Sequence, residues 1–122
     1  MTEQQPTAAI IRTAEQPEYL HPEHTLFFLR DVITAETNPT LSLHRGRIEP
    51  DGEIVSRRIE RTETIYILSG DALCSLAGEE SRLGAGSCIV VPAQCQLSLK
   101  NCAEQPIELL IAVTPPQPQS NR

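Results

Sequence analysis

Arginine supplies nearly all the positive charge of this chain, and its placement is the first feature with chemical potential. Nine of the ten basic residues are arginine, and five of the nine lie between positions 45 and 61. A guanidinium group presents a planar fork of donors that matches a carboxylate or a phosphate, so these arginines are candidates for binding an anion in a pocket. The acidic residues interleaved with them favour an alternative, in which the arginines lie on solvated strand faces.

Histidine and cysteine, the common ligands of transition metals, show no metal-binding spacing. His21 and His24 belong to an HPEH segment that we expect to be a surface loop, and His44 lies on a predicted strand whose facing is open. None of the four cysteines forms a CxxC pair, which argues against a zinc finger. The N-terminal segment lacks the basic and then apolar plan of a signal peptide, so we expect a cytoplasmic protein with reduced thiols.

The elements that must position these residues are short β-strands. Ten prolines and six glycines interrupt the chain at short intervals, and no helical periodicity of useful length occurs. Alternating and apolar stretches predict the strands, with a turn at 49–52 and a hairpin at 78–80. The predicted strands are 25–33, 41–48, 54–60, 63–68, 72–77, 87–91, 95–101 and 107–113, with a further short strand at 8–12.

Length and charge restrict the domain organisation and the classes of partner. The 122 residues suffice for one domain, which we place at 21–114, after a partly ordered arm at 1–20 and before a disordered tail at 115–122. The net charge of −6 argues against nucleic acid and against an anionic membrane surface. No stretch approaches the ~20 apolar residues that a membrane helix needs.

Two segments carry the spacing of a known pair of motifs. In ETIYILSG, six residues separate Glu63 from Gly70, and in GSCIVVPAQCQLSLKN the residues Gly86, Pro92 and Asn101 keep the spacing of the second motif. Over about residues 40–114 the chain therefore resembles a small single-domain cupin. The resemblance implies an all-β fold, the cupin double-stranded β-helix or jelly-roll barrel.

The side chains with which cupins bind a metal are largely replaced. Of the three histidines and one glutamate of the family, the resemblance leaves only Glu63. A transition metal needs about three or four well-placed donors, so we expect no metal and no other cofactor. The replacements are Arg57 and Ile59 when counted back from Glu63, Arg58 and Glu60 when counted forward from the preceding turn, and Leu97 in the second motif.

The resemblance implies that Glu63 faces the barrel interior, and alternation then predicts the faces of its neighbours. Ile65 and Ile67 share the face of Glu63, and on the adjacent strand Val55, Arg57 and Ile59 share one face.

Two hypotheses follow for the pair of charges. In one, Arg57 and Glu63 form an ion pair that fills the pocket; in the other, Arg57 or Arg58 binds a ligand carboxylate or phosphate that Glu63 orients. A nearby arginine is expected to lower the pKa of Glu63. By analogy with the family, two cysteines also point inward. The predicted pocket residues are Glu63, Arg57, Arg58, Ile59, Leu97, Cys95 and Cys74.

Three functions remain open. The first is a metal-free binding module for a small molecule, including an anion. The second is an enzyme, either a metal-independent isomerase or hydrolase or a metalloenzyme with non-standard ligands. The third is a dimeric interaction protein with an inert pocket. A homodimer is expected, partly from the resemblance and partly because Tyr66, Leu68, Cys88 and Val90 form an apolar face opposite the pocket.

Overall fold

The computed structural model describes residues 8–118, and its regular structure consists of nine β-strands and one 3-10 turn at Thr13–Glu15. This confirms the predicted all-β class. The strands are β1 (Glu18–Leu20), β2 (Thr25–Ile33), β3 (Ser42–Arg58), β4 (Thr62–Ser69), β5 (Ala72–Leu76), β6 (Glu79–Leu83), β7 (Cys88–Val91), β8 (Gln96–Lys100) and β9 (Ile107–Thr114).

All strand pairs are antiparallel, and the sheet follows the order β6-β5-β8-β3-β9-β4-β7, with β2 paired to β3 and β1 paired to β2. The long strand β3 organises this arrangement. Its first part pairs with β9 from Ser42 to Ile48, and its second part pairs with β8 from Glu53 to Arg58. One strand that changes partners in this way joins the two halves of a curled, jelly-roll sheet.

The change of partner corrects one prediction. The sequence predicts two strands separated by a turn at 49–52, but the structure contains one continuous strand with a corner there. Asp51 adopts a positive φ of 69° at this corner. A side chain at Gly52 would collide with two backbone carbonyls, since its Cβ would stand 2.7 Å from the oxygen of Thr25 and 2.9 Å from that of Glu49.

Period-two alternation builds the core. On β4 the buried positions are Glu63, Ile65 and Ile67, and both isoleucines are fully buried. The predicted shared face of these three residues is therefore confirmed. Each such aliphatic side chain contributes about 1.5–3 kcal/mol through burial.

Two residues of the cupin-like motifs hold the chain at the ends of strands. Gly70 has a φ of +97°, and a Cβ at this position would lie 2.7 Å from the carbonyl oxygen of Pro106. Asn101 is 1% exposed, and its Nδ2 donates to the carbonyls of Ile48 at 3.0 Å and Gln105 at 2.8 Å. Both residues serve the backbone rather than a ligand.

The N-terminal region differs from the prediction. Residues 8–12 form no strand, whereas the three-residue strand β1 forms a hairpin with β2, and residues 21–24 connect the two. Residues 1–7 of the predicted arm and 119–122 of the predicted tail lie outside the described residues. Strand β6 was not predicted because its polar, exposed sequence lacks alternation. Between residues 8 and 118, no helix has the length and apolar character needed to cross a membrane.

Candidate functional site

A cavity of about 280 Å³ lies at the barrel end where β3 and β4 begin and β9 ends. The β1–β2 hairpin borders its mouth. Its apolar lining comprises Phe27, Leu29, Ile54, Ile59, Leu97, Ile111 and Val113. Its polar lining comprises Tyr19, His21, Glu23, His24, Asp31, Thr34, Ser42, His44, Arg57, Glu63 and Gln117.

Four of the predicted pocket residues line this cavity. Glu63 reaches it from β4, Arg57 and Ile59 from the end of β3, and Leu97 from β8, where it pairs in register with Arg57. These are the positions obtained by counting back from Glu63. The side chains reached by the forward count, Arg58 and Glu60, are exposed and lie outside the lining.

A β-bulge determines which residues of β3 reach the cavity. The register with β8 shifts between Ile54 and Arg57, so that the alternation changes phase between them. Ile54 therefore lines the cavity, whereas Val55, predicted to share a face with Arg57 and Ile59, is 39% exposed. The prediction for Val55 is wrong because the alternation rule assumes an uninterrupted ladder.

The other three predicted pocket residues lie elsewhere. Arg58 follows Arg57 on the strand and points away, donating to the carbonyl of Gln94 at 3.2 Å. Cys74 is 3% exposed within the packed core, and burial raises the pKa of its thiol. Cys95 precedes β8 and packs half-buried against that core. The cysteines thus supply no ligand to the cavity.

Glu63 is a nearly buried carboxyl, 8% exposed, that lacks a partner. Within residues 8–118 no hydrogen bond or ion pair engages its oxygens, and the Arg57 guanidinium lies beyond 4 Å. Burial raises the pKa of Glu63, while the charges of Arg57 and His44 oppose the rise. The expected net lowering of the pKa by arginine is therefore wrong, because desolvation outweighs the attraction.

His44 joins a chain of hydrogen bonds on the cavity wall. Its Nδ1 lies 2.8 Å from Oδ1 of Asp31, and its Nε2 lies 2.9 Å from Oγ of Ser42. The Tyr19 hydroxyl donates to the same Asp31 oxygen at 2.7 Å, and Ser42 Oγ accepts the backbone N–H of Gln117 at 2.8 Å. Ser42 is fully buried, so its hydroxyl fixes the His44 ring rather than serving as an exposed nucleophile.

His21 and His24, expected on a surface loop, line the mouth of the cavity instead. Their ring centroids are 4.4 Å apart, and both rings contact Phe27. The Nδ1 of His21 accepts the backbone N–H of Glu23 at 3.1 Å, and the Nδ1 of His24 accepts that of Val55 at 2.9 Å. The bulge that turns Arg57 inward thus also supplies the amide that orients His24.

Electrostatics keep both rings at the mouth neutral near pH 7. Burial, together with the charge of Arg57, lowers the pKa of His21, although Glu23 acts in the opposite direction. Burial also lowers the pKa of His24 to about 4, with further contributions from His21 and Arg57. One of the three cavity histidines was detectable from the sequence: His44 shares its strand parity with the core residue Ile48.

Comparison with known proteins now identifies the architecture. The family model of the cupin domain matches residues 44–113, more than half of the chain. The chain belongs to the cupin family. The resemblance found in the two motifs is thereby confirmed. A search of the curated proteins gives no match.

Solved cupin-like structures share the fold at low sequence identity. The polyketide cyclase RemF from Streptomyces resistomycificus has a TM-score of 0.80 at 17% identity, over 93% of this chain and 83% of its own. An RmlC-like cupin from Shewanella frigidimarina has 0.79 at 12%, over 94% and 97%. KdgF from Halomonas sp. has 0.75 at 18%, over 92% and 97%. At these identities the likeness establishes the fold alone.

A cupin metal does not fit the donors of this cavity. A neutral imidazole ligates a metal through its unprotonated nitrogen while the other nitrogen donates a hydrogen bond. In His21 and His24 the nitrogen Nδ1 accepts from an amide, which places the proton on Nε2. In His44 both nitrogens are engaged by Asp31 and Ser42. Between residues 8 and 118, no three His, Cys, Asp or Glu side chains are grouped to hold a metal ion.

Proposed function

We propose that this cupin binds a small anionic molecule in the barrel cavity without a metal, and that Arg57 contacts the anion. The observation that carries the proposal is a cavity with one arginine at its mouth and one carboxyl on its wall that do not pair with each other. Both groups are therefore available to a third molecule.

Arg57 supports the anionic character of the ligand. Its side chain is exposed at the mouth, and within the described part of the chain it makes no ion pair or hydrogen bond. Other arginines differ in this respect, since Arg45 pairs with Glu108 at 3.2 Å and Arg47 pairs with Glu18 at 2.6 Å. A free guanidinium beside a concave apolar surface is suited to bidentate binding of a carboxylate or phosphate.

The size of the cavity supports a small ligand. Its volume of about 280 Å³ lies at the lower end of the ~300–1,000 Å³ typical of ligand pockets. Aliphatic side chains form much of the lining, so the body of the ligand packs against apolar surface while a few polar groups orient it. A compact organic acid satisfies both conditions better than a nucleotide or an oligosaccharide.

Two adjacent arginines provide the test. Arg57→Ala is expected to weaken binding of an organic anion by about 10- to 100-fold, the equivalent of a lost charge-assisted hydrogen bond. Arg58→Ala removes the same charge from the opposite face and is expected to leave the affinity within a few-fold. A thermal-shift screen of carboxylates and phosphates, followed by calorimetry, measures both. Equal affinities for wild type and Arg57→Ala would contradict the proposal.

A second candidate is metal-independent acid–base catalysis on the bound molecule. Glu63 favours it, because an unpaired carboxyl whose pKa is raised by burial can accept or donate a proton near neutral pH. The test is exchange of ligand C–H hydrogens with deuterated solvent, followed by NMR. Exchange that Glu63→Gln abolishes would favour an enzyme over a binding module.

We further propose a homodimer through the outer face of β4 and β7, in the cytoplasm. Tyr66 and Val90 are 43% and 63% exposed on that face, and the four free thiols are suited to a reducing compartment. Val90→Lys is expected to convert a dimer into a monomer in light scattering, whereas Glu80→Lys on β6 leaves it a dimer. A monomeric wild type would contradict the proposal.

A further inference from the structure

The mouth of the cavity presents a cluster of donors that extends beyond Arg57. His21 and His24 lie side by side there, and each has its Nδ1 occupied by a backbone amide. Since Nδ1 acts as acceptor in both rings, the proton of each neutral ring resides on Nε2. Both Nε2–H groups lack a hydrogen-bond partner within residues 8–118.

The backbone fixes these two donors in place. His24 is tied to the amide of Val55 in the bulge of β3, two residues before Arg57. The backbone of His21 is anchored as well, because its N–H donates to the carbonyl of Phe27 at 2.8 Å. Contacts of both rings with the Phe27 ring hold their planes. Such preorganised N–H groups around a guanidinium form a site for an anion with two oxygens.

The deeper wall has the opposite character. Glu63 presents a carboxyl with no partner, and its surroundings are the apolar side chains of Ile59, Leu97 and Val113. A ligand hydroxyl is the group that this carboxyl can accept from when ionised and donate to when protonated. The cavity is therefore polarised, with donors at the mouth and an acceptor on the wall.

We propose that the ligand is a small hydroxycarboxylate, whose carboxylate accepts hydrogen bonds from Nε2–H of His21, Nε2–H of His24 and the Arg57 guanidinium, while its hydroxyl contacts Glu63. This inference rests on the proposed anion-binding function and specifies its ligand class and two further binding residues. Glu23 also lines the mouth, and its carboxylate opposes the bound anion.

Matched ligands test the class. Lactate, malate and 3-hydroxybutyrate are compared by calorimetry with their deoxy acids propionate, succinate and butyrate, and with the corresponding hydroxy amides. The hydroxy acids are expected to bind about 10-fold more tightly than either matched series, one net hydrogen bond being involved in each comparison. Amides or deoxy acids that bind as tightly as the hydroxy acids would overturn the assignment.

Variants at the mouth test the two histidines. His21→Phe keeps the ring and its stacking but removes the donor, and it is expected to weaken carboxylate binding about 10-fold without changing amide binding. His24→Asn preserves an acceptor and a donor and is expected to retain most of the affinity that His24→Phe loses. Glu23→Gln removes the opposing charge and is expected to tighten binding about 2- to 5-fold.

The histidine tautomers supply a measurement that needs no ligand. Long-range ¹H–¹⁵N correlation spectra are expected to show His21 and His24 as Nε2–H tautomers at pH 7, with Nε2 resonances that shift on addition of malate. Nδ1–H tautomers in both rings would overturn the inference. Anion binding that depends on Arg57 but not on His21 or His24 would also overturn it while sparing the proposed function. Absence of binding to every carboxylate and phosphate would overturn both.

Discussion

The two ends of the same barrel strands have opposite chemistry. At one end, Ile48 pairs with Ile107, both are fully buried, and Ile67 is fully buried beside them. At the other end, the same strands β3 and β4 present His44 and Glu63 toward a cavity. The inner face alternates identically along its whole length, so the change from core to cavity results from side-chain identity at the strand ends.

This comparison teaches that cupin scaffold and cupin chemistry are separable in this chain. The residues that hold the scaffold, Gly70 and Asn101, contact backbone near the core end. The positions that carry a metal in the family line the cavity as Arg57, Ile59 and Leu97. Replacement of the metal ligands leaves the fold intact because core packing supplies its stability without a bound ion.

The largest effect on stability is expected at the core end. Ile67→Ala removes a fully buried side chain and is expected to lower the free energy of unfolding by about 2–5 kcal/mol. Val90→Ala, on the exposed face of β7, is expected to change it by less than about 0.5 kcal/mol. Urea denaturation measures both. A loss below about 1 kcal/mol for Ile67→Ala would break the contrast between the two ends.

A smaller effect is expected in the hydrogen-bonded wall of the cavity. Ser42→Ala leaves the His44 Nε2 and the Gln117 amide without their partner, which is expected to cost about 1–3 kcal/mol. Ser42→Thr keeps the hydroxyl and is expected to retain the His44 ring orientation. The measurements are urea denaturation and the NMR shifts of the His44 ring. A stability equal to that of wild type in Ser42→Ala would show that this chain contributes little to folding.

The smallest effect concerns the unpaired carboxyl. The pKa of Glu63 is raised in the folded state, so its protonation favours folding below the ordinary glutamate pKa of about 4.3, and that contribution is lost as pH rises through the folded pKa. Glu63→Gln removes this loss and is expected to stabilise the protein at pH 7 by about 1 kcal/mol. Unfolding curves from pH 4 to 8 measure it. A wild type whose stability rises above pH 5 relative to Glu63→Gln would contradict the raised pKa.

Much of the fold was predictable because local patterns specify it. Alternation at 63–68 and 107–113 placed β4 and β9 nearly correctly, since a half-buried strand requires period two. Strand β6 escaped prediction because an exposed edge strand requires no apolar face. The corner in β3 was read as a turn because Pro50 and Gly52 are equally suited to both, and only pairing with two different partners distinguishes them.

The sequence by itself determined the all-β class, the inward face of β4 and the loss of metal-binding histidines at the motif positions. The tertiary structure decided that His21 and His24 reach the cavity, that Arg57 rather than Arg58 faces it, and that Glu63 remains unpaired. These features depend on the bulge in β3 and on the docking of the β1–β2 hairpin. Both arise from pairing between segments distant in sequence, which no local pattern encodes.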